Sequence, residues 1–249
     1  MHIMRRVRRV HRLSVAPAFC ILCLVATGDF IVAPTVAMSR PERAGNDQAA
    51  AQLEPTDSVA GYVARLLINE TPFPGERGWV SEDDTRAAMQ SILGVLHSRI
   101  RHVPPGYRQE QIATVKTEDI IDVITAGGEK GQCDGFYRDA AGRIVAVARV
   151  HERIDSLTKI ASKGEPGRFA RLINYAQDLA RTYVAERATR VDRFVELTRV
   201  GDVAVTGHAY SWMADRDYYN PGGNFVRIPD ADQGSLGGNR FFTLRKLKP

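Results

Sequence analysis

Cysteine, tryptophan and long apolar runs are scarce in this chain. Its 249 residues include three cysteines and two tryptophans. Cys20 and Cys23 fall in an apolar stretch near the N-terminus, which leaves Cys133 alone in the body of the chain. One thiol makes neither an intramolecular disulfide nor a metal cluster, so the fold must be held by its apolar core. No uninterrupted apolar run reaches the roughly 18 residues of a membrane-spanning helix, which excludes a multipass membrane protein. The body also lacks an excess of basic charge. The net charge of +5 arises from Arg5, Arg6, Arg8, Arg9 and Arg12; beyond residue 37, 29 basic residues face 28 acidic ones. A body so balanced offers no clustered basic face for nucleic acid.

What is present is enough apolar material for one large domain: 44% hydrophobic against 25% charged residues. The N-terminus has its own pattern. The arginines precede an apolar stretch from Leu13 to about Ala26, and Thr35-Val36-Ala37 introduces a polar segment. A basic start, an apolar middle and a small-residue end are the parts of an export signal, here spanning 1–37 with Ala37 as the preferred cleavage point. Export places the protein in the periplasm or outside the cell, with only a transient membrane contact through the leader. An uncleaved N-terminal anchor is the alternative. Residues 38–56, rich in Ala, Gln, Pro and charge without apolar period, read as a flexible linker.

The folded domain is expected over 57–249, mainly helical in an α+β class. Val59, Tyr62, Val63, Leu66 and Leu67 recur at helical spacing behind Asp57 or Ser58 as cap, and Pro72 stops the helix. A second helix opens at Ser81, with Glu82, Asp83 and Asp84 suiting the dipole of its first turn. Ala88, Ile92, Val95, Leu96 and Ile100 form its apolar face, and Pro104-Pro105-Gly106 closes the region. A short helix is expected from Thr117 to about Thr125. The stretch from Arg143 to Ser162 fits either a strand or a helix, and Pro166 opens another helix at its first position. Beyond Gly201, short apolar runs and turns predict a small β element, including a strand over Arg240–Leu244.

Several chemistries are excluded by what the motifs lack. There is no Gly-x-Ser-x-Gly elbow, and Gly234-Ser235-Leu236-Gly237-Gly238-Asn239 fits neither a P-loop nor a dinucleotide fingerprint. His97 and His102 are five apart, not the four that would face two ligands at one zinc ion, and His151 and His208 stand alone. No metal or cofactor is therefore expected. Glu70 remains, a carboxyl at the exit of an apolar helix before a Pro/Gly loop. Partial desolvation there disfavours the charged form, which suits a general acid for glycosidic cleavage. An acid after a helix is also commonly a solvated surface group.

The run Ala64-Arg65-Leu66-Leu67-Ile68-Asn69-Glu70 with Gly75-Glu76 resembles the opening of the SleB/CwlJ-type cell-wall hydrolase family. Ile92 to Arg99 is similar to that family's apolar helix ending in Asn-Arg. Gln132 and Phe136 resemble its Gln-Phe-Ser segment, Tyr218-Tyr219-Asn220-Pro221 its Tyr-x-Asn-Pro, and Gly238-Asn239-Arg240-Phe241-Phe242 its closing Gly-x-His-x-Phe. The resemblance spans about residues 59 to 244, in the family's order. Ser98 stands where Asn is expected and Arg240 at the histidine position; the two glutamates are further apart than usual.

That resemblance implies a lysozyme-like single domain acting on the glycan strands of peptidoglycan as a lytic transglycosylase or muramidase. Glu70 would be general acid and then base, the former route needing no second carboxylate. For hydrolysis, Glu76, Asp83 and Asp84 are candidates for that second group. Trp212, Tyr218 and Tyr219 would offer flat faces to sugar rings, or pack in the core. Gln132 and Asn220 would bond acetamido groups, with Glu76 and Phe136 beside the substrate. Two alternatives remain: a non-catalytic peptidoglycan-binding or envelope protein, and a Cys133-dependent stem-peptide amidase with His208 or His151 as base.

Overall fold

The computed structural model describes residues 51–163, 167–189, 192–214 and 221–248. The chain divides into Met1–Gly45, which lies outside the described residues, and Asn46–Pro249. The expected export signal, and Tyr218, Tyr219 and Asn220, therefore also lie outside them.

The first helix, α1 (Val59–Glu70), starts where Ser58 accepts a hydrogen bond from the Gly61 amide at 2.9 Å. Its apolar residues do more than form a stripe. Ala60 through Ala64 and Leu66 to Ile68 are all buried, while Val59, expected on the inner face, is exposed at the helix start. A helix apolar on nearly every side belongs inside a bundle, and α1 packs mainly against α6 (Arg168–Glu186), with α5 (Ala148–Ala161) and α2 (Glu82–Arg101) around it. Ser81 caps α2 by accepting from the Asp84 amide at 3.0 Å. Two short helices follow, α3 (Gln109–Ala113), which the sequence did not suggest, and α4 (Ile120–Thr125), capped by Asp119.

The ambiguous stretch contains both structures. Ile144–Ala146 is strand β2, paired antiparallel with β1 (Phe136–Arg138), and α5 begins two residues later. The structure is thus mixed helix and sheet. After a small hairpin of β3 (Arg199–Val200) and β4 (Val203–Ala204), the C-terminal region forms a four-stranded antiparallel sheet. Its central strand is β8 (Asn239–Leu244), flanked by β5 (Ser211–Ala214) on one edge, with β6 (Phe225–Arg227) and β7 (Ser235–Leu236) also paired to it.

The expected linker ends earlier than residue 56. The Gln52 and Glu54 amides donate to Asn174 and Gln177 of α6 at 3.1 and 2.9 Å, and Arg181 reaches the Glu54 carboxylate at 2.6 Å. Ala51 and Leu53 pack on the core. Leu53 and Glu54 supply the apolar and charged contacts that a low-complexity composition hides.

The loop after α1 is pinned from both sides. Arg153 of α5 donates to the Ile68 and Thr71 carbonyls at 2.5 and 3.0 Å and to both Glu76 oxygens, the shorter at 2.6 Å. Glu76 in turn accepts from the Phe73 amide at 2.7 Å. On the other side Thr85 Oγ1 of α2 donates to the Pro72 carbonyl at 3.1 Å, and the neighbouring Asp84 accepts from the Gly237 amide at 2.7 Å. Gly237 has φ +49°, and a Cβ there would sit 2.6 Å from that of Ala88, so only glycine permits this approach. Replacing Arg153 with Met should leave Glu76 and two carbonyls short of donors. We expect a loss of about 2–3 kcal/mol in urea unfolding, against under about 1 kcal/mol for a solvent-exposed arginine such as Arg143.

Candidate active site

Glu70 is the last residue of α1, and its carboxylate is half-buried. Asn69 Nδ2 donates to Oε1 at 3.1 Å, and Trp212 Nε1 of β5 donates to Oε2 at 3.0 Å. The Glu70 carbonyl, left without an intrahelical partner at a helix end, accepts from Asn239 Nδ2 of β8 at 2.7 Å. The helix end is thus held at its backbone and its side chain by two neighbouring strands. β5 and β8 pair with Trp212 opposite Phe241 and Ala214 opposite Asn239, which brings both donors to one place.

Behind the indole lies Arg99 of α2. Its guanidinium sits 5.4 Å from the Trp212 ring centroid, a cation–π arrangement. Arg99 Nε donates to the Tyr210 carbonyl at 2.8 Å, and Nη1 to Gln132 Oε1. Arg99 is 4% exposed and pairs with no carboxylate among the described residues. Burial alone pulls its pKa down to about 10, opposed by the nearby Cys133. The sequence carried a signal for this residue. Arg99 falls three after Leu96 and four after Val95, on the apolar face of α2, where a charge is out of place.

The sequence-derived residues divide into three groups. Glu70, Trp212 and Gln132 come together through Arg99. Trp212, expected as a sugar platform, presents its ring to Arg99 and its N–H to Glu70, so its contacts serve the carboxylate. Gln132 is engaged at both ends, its amide nitrogen donating to Thr114 Oγ1. Glu76 and Phe136 are engaged with the protein itself. Glu76 is tied to Arg153 and the Phe73 amide, and Phe136 is fully buried with its ring edge-on to Tyr62 at 5.3 Å. Tyr218, Tyr219 and Asn220 lie outside the described residues. Asn69, Arg99 and Asn239 are contacts that residue-by-residue inspection missed.

Cys133 lies near both Glu70 and Arg99 but is 1% exposed. Burial raises its pKa to about 12, with Arg99 pulling down and Glu70 pushing up. A thiol held protonated is a poor nucleophile. The histidines offered as its base are engaged elsewhere or unremarkable: His208 Nδ1 is bonded to Asp192, and His151 sits half-buried on α5. Among the described residues no group of three or more His, Cys, Asp or Glu side chains is placed to hold a metal ion.

Two measurements follow from these environments. Cys133 should react with an aromatic disulfide reagent at neutral pH only as fast as the chain unfolds, so reaction within seconds in the folded state would contradict its burial. The second concerns acid. Burial, then neighbouring positive charges, hold His97 and His102 below the ordinary 6.5. The unfolded chain then takes up protons first, and stability falls as pH drops from about 7 towards 5. Burial raises Asp192, but bonds from His208 and the Phe194 amide outweigh it and leave its pKa low, so a further loss follows below about pH 4. Melting curves across pH should show both steps, and His97→Gln with His102→Gln should flatten the first. Compared with known proteins, the chain matches no family model, no curated protein and no solved structure.

Proposed function

We propose that the chain cleaves the glycan strands of peptidoglycan as a lytic transglycosylase, with Glu70 as acid and then base, on a lysozyme-like domain. The observation carrying this reading is the carboxylate at the α1 exit, held between Asn69 and Trp212 by elements 142 residues apart. The resemblance in motif order supports it, as does the helical body with a small sheet meeting it beside Glu70. Export of the chain by its leader belongs to the same proposal.

The donors assign the two oxygens. An indole N–H can only donate, and it bonds an unprotonated oxygen more strongly, which favours the acid proton on Oε1. The Asn69 amide can turn there and offer its carbonyl as acceptor. The proton on Oε1 passes to the glycosidic oxygen as the C1–O bond breaks. The carboxylate then draws the proton from the muramic acid 6-hydroxyl, whose oxygen bonds to C1 and closes a 1,6-anhydro ring. This route needs one carboxylate. Two of the three acids suggested for a second role are already engaged: Glu76 is held by Arg153, and Asp84 by the Gly237 amide.

Digestion of purified peptidoglycan, read by mass spectrometry of the released muropeptides, tests the proposal. Anhydro ends are expected, with a loss of about 10²–10⁴-fold for Glu70→Gln. Equal release by that variant would remove Glu70 from the chemistry, reducing ends would mean hydrolysis, and freed stem peptides would mean an amidase. A chain that binds peptidoglycan in a pull-down without releasing any product would be the non-catalytic binder.

A further inference from the structure

A cleft lies where α2 ends. Arg101 and His102, the Pro104–Pro105 turn, the segment from Val195 to His208 and the C-terminal Lys246 and Leu247 enclose about 560 Å³. Its walls are apolar, with Val103, Pro104, Pro105, Val195, Leu197 and Leu247 lining it. Val195 is 49% exposed at this edge, an apolar side chain left facing solvent where a ligand would cover it. The lining also carries two cations, Arg101 and Lys246, and two imidazoles, His102 and His208.

Two acids lie nearby, and Lys246 is paired with neither of them. Asp192 already holds His208 Nδ1, and Glu118 meets one arm of Arg101 at 3.2 Å from the exposed side. The rings of His102 and His208 stack at 4.2 Å and 4°, a flat aromatic surface within the cleft. His208 adopts φ +42°, the left-handed region that histidine enters more readily than most residues. Basic groups around an apolar hollow complement a ligand with one anionic end and an apolar body.

We propose that this cleft is a binding site for a small organic carboxylate, its apolar body on the prolines and its carboxylate towards Arg101, Lys246 and the stacked imidazoles. The proposal does not depend on Glu70 or on glycan cleavage.

Benzoate and its neutral counterpart benzamide test it, each titrated into the full chain at constant neutral pH. Proton NMR of the imidazole signals and calorimetry serve as readouts. Benzoate should bind and shift the His102 and His208 signals, with benzamide bound at least about tenfold more weakly, and Arg101→Gln with Lys246→Gln should weaken benzoate by about tenfold or more. Both replaced residues are exposed, and the amide spectrum of the double variant reports that its fold is kept. Should that variant not fold, the benzoate and benzamide comparison in the unaltered chain decides. Equal binding of the two probes, shifts confined to other regions, or no shift at millimolar benzoate would overturn the proposal.

Discussion

A single indole N–H joins the C-terminal sheet to the first helix, and the geometry of Glu70 depends on it. An exposed glutamate side chain keeps rotamer freedom worth up to about 2 kcal/mol. Trp212 and Asn69 together take one oxygen each and narrow that freedom. The indole can do this only because Arg99 lies over its ring and β8 holds β5 in register. Asn239 supplies the matching constraint on the backbone by satisfying the Glu70 carbonyl. Each strand thus contributes one donor to the same helix end. A slip of one residue between them would turn side chains to the opposite face and separate the pair.

Arg99 carries the cost of this arrangement. A buried guanidinium loses its hydration, and ion pairing is the usual compensation. Here the compensation comes from neutral groups: the Tyr210 carbonyl, the Gln132 amide oxygen and the face of Trp212. The charge is therefore solvated by dipoles but not cancelled. Cys133 feels it directly, with Arg99 and Glu70 acting on the thiol in opposite directions. Arg99 lies over the face of the indole and Glu70 meets its N–H, so guanidinium and carboxylate are linked through Trp212. An Arg99–Glu70 ion pair would occupy the atoms that the proposed proton transfer requires.

The elements were legible where local chemistry decides them. Ser58 and Ser81 cap the first two long helices as their positions suggested, and Pro72 falls just beyond the end of α1. The strand over Arg240–Leu244 also appears, extended by Asn239. What escaped was decided by partners distant in sequence. Leu53 and Glu54 look like linker until α6 is beside them. Arg143 to Ser162 was ambiguous because a strand and a helix are joined there by Val147 alone. Glu70 and Glu76 look alike in sequence, one before and one after a Pro/Gly turn. Only the fold separates them, by giving Arg153 to one and Trp212 to the other. Phe136 is the same case, since an aromatic in a motif and an aromatic in a core have the same letter, and here it is fully buried.

Tyr210 is the partition between the two neighbourhoods on α2. Its carbonyl accepts from Arg99, which backs the Glu70 site, and its hydroxyl donates at 2.6 Å to the His102 carbonyl, at the wall of the basic cleft. Arg99 and His102 are three residues apart, roughly 4.5 Å along the helix axis. Proximity of this kind invites an allosteric reading, but coupling requires an element with two arrangements whose balance each ligand shifts. Tyr210 is 1% exposed and bonded to α2 through its carbonyl and its hydroxyl, while its amide donates to Phe242 of the central strand at 2.8 Å. A ring so fixed has one arrangement. The same residue that brings the two sites close therefore isolates them, and occupancy of the cleft should leave the orientation of Glu70 unchanged.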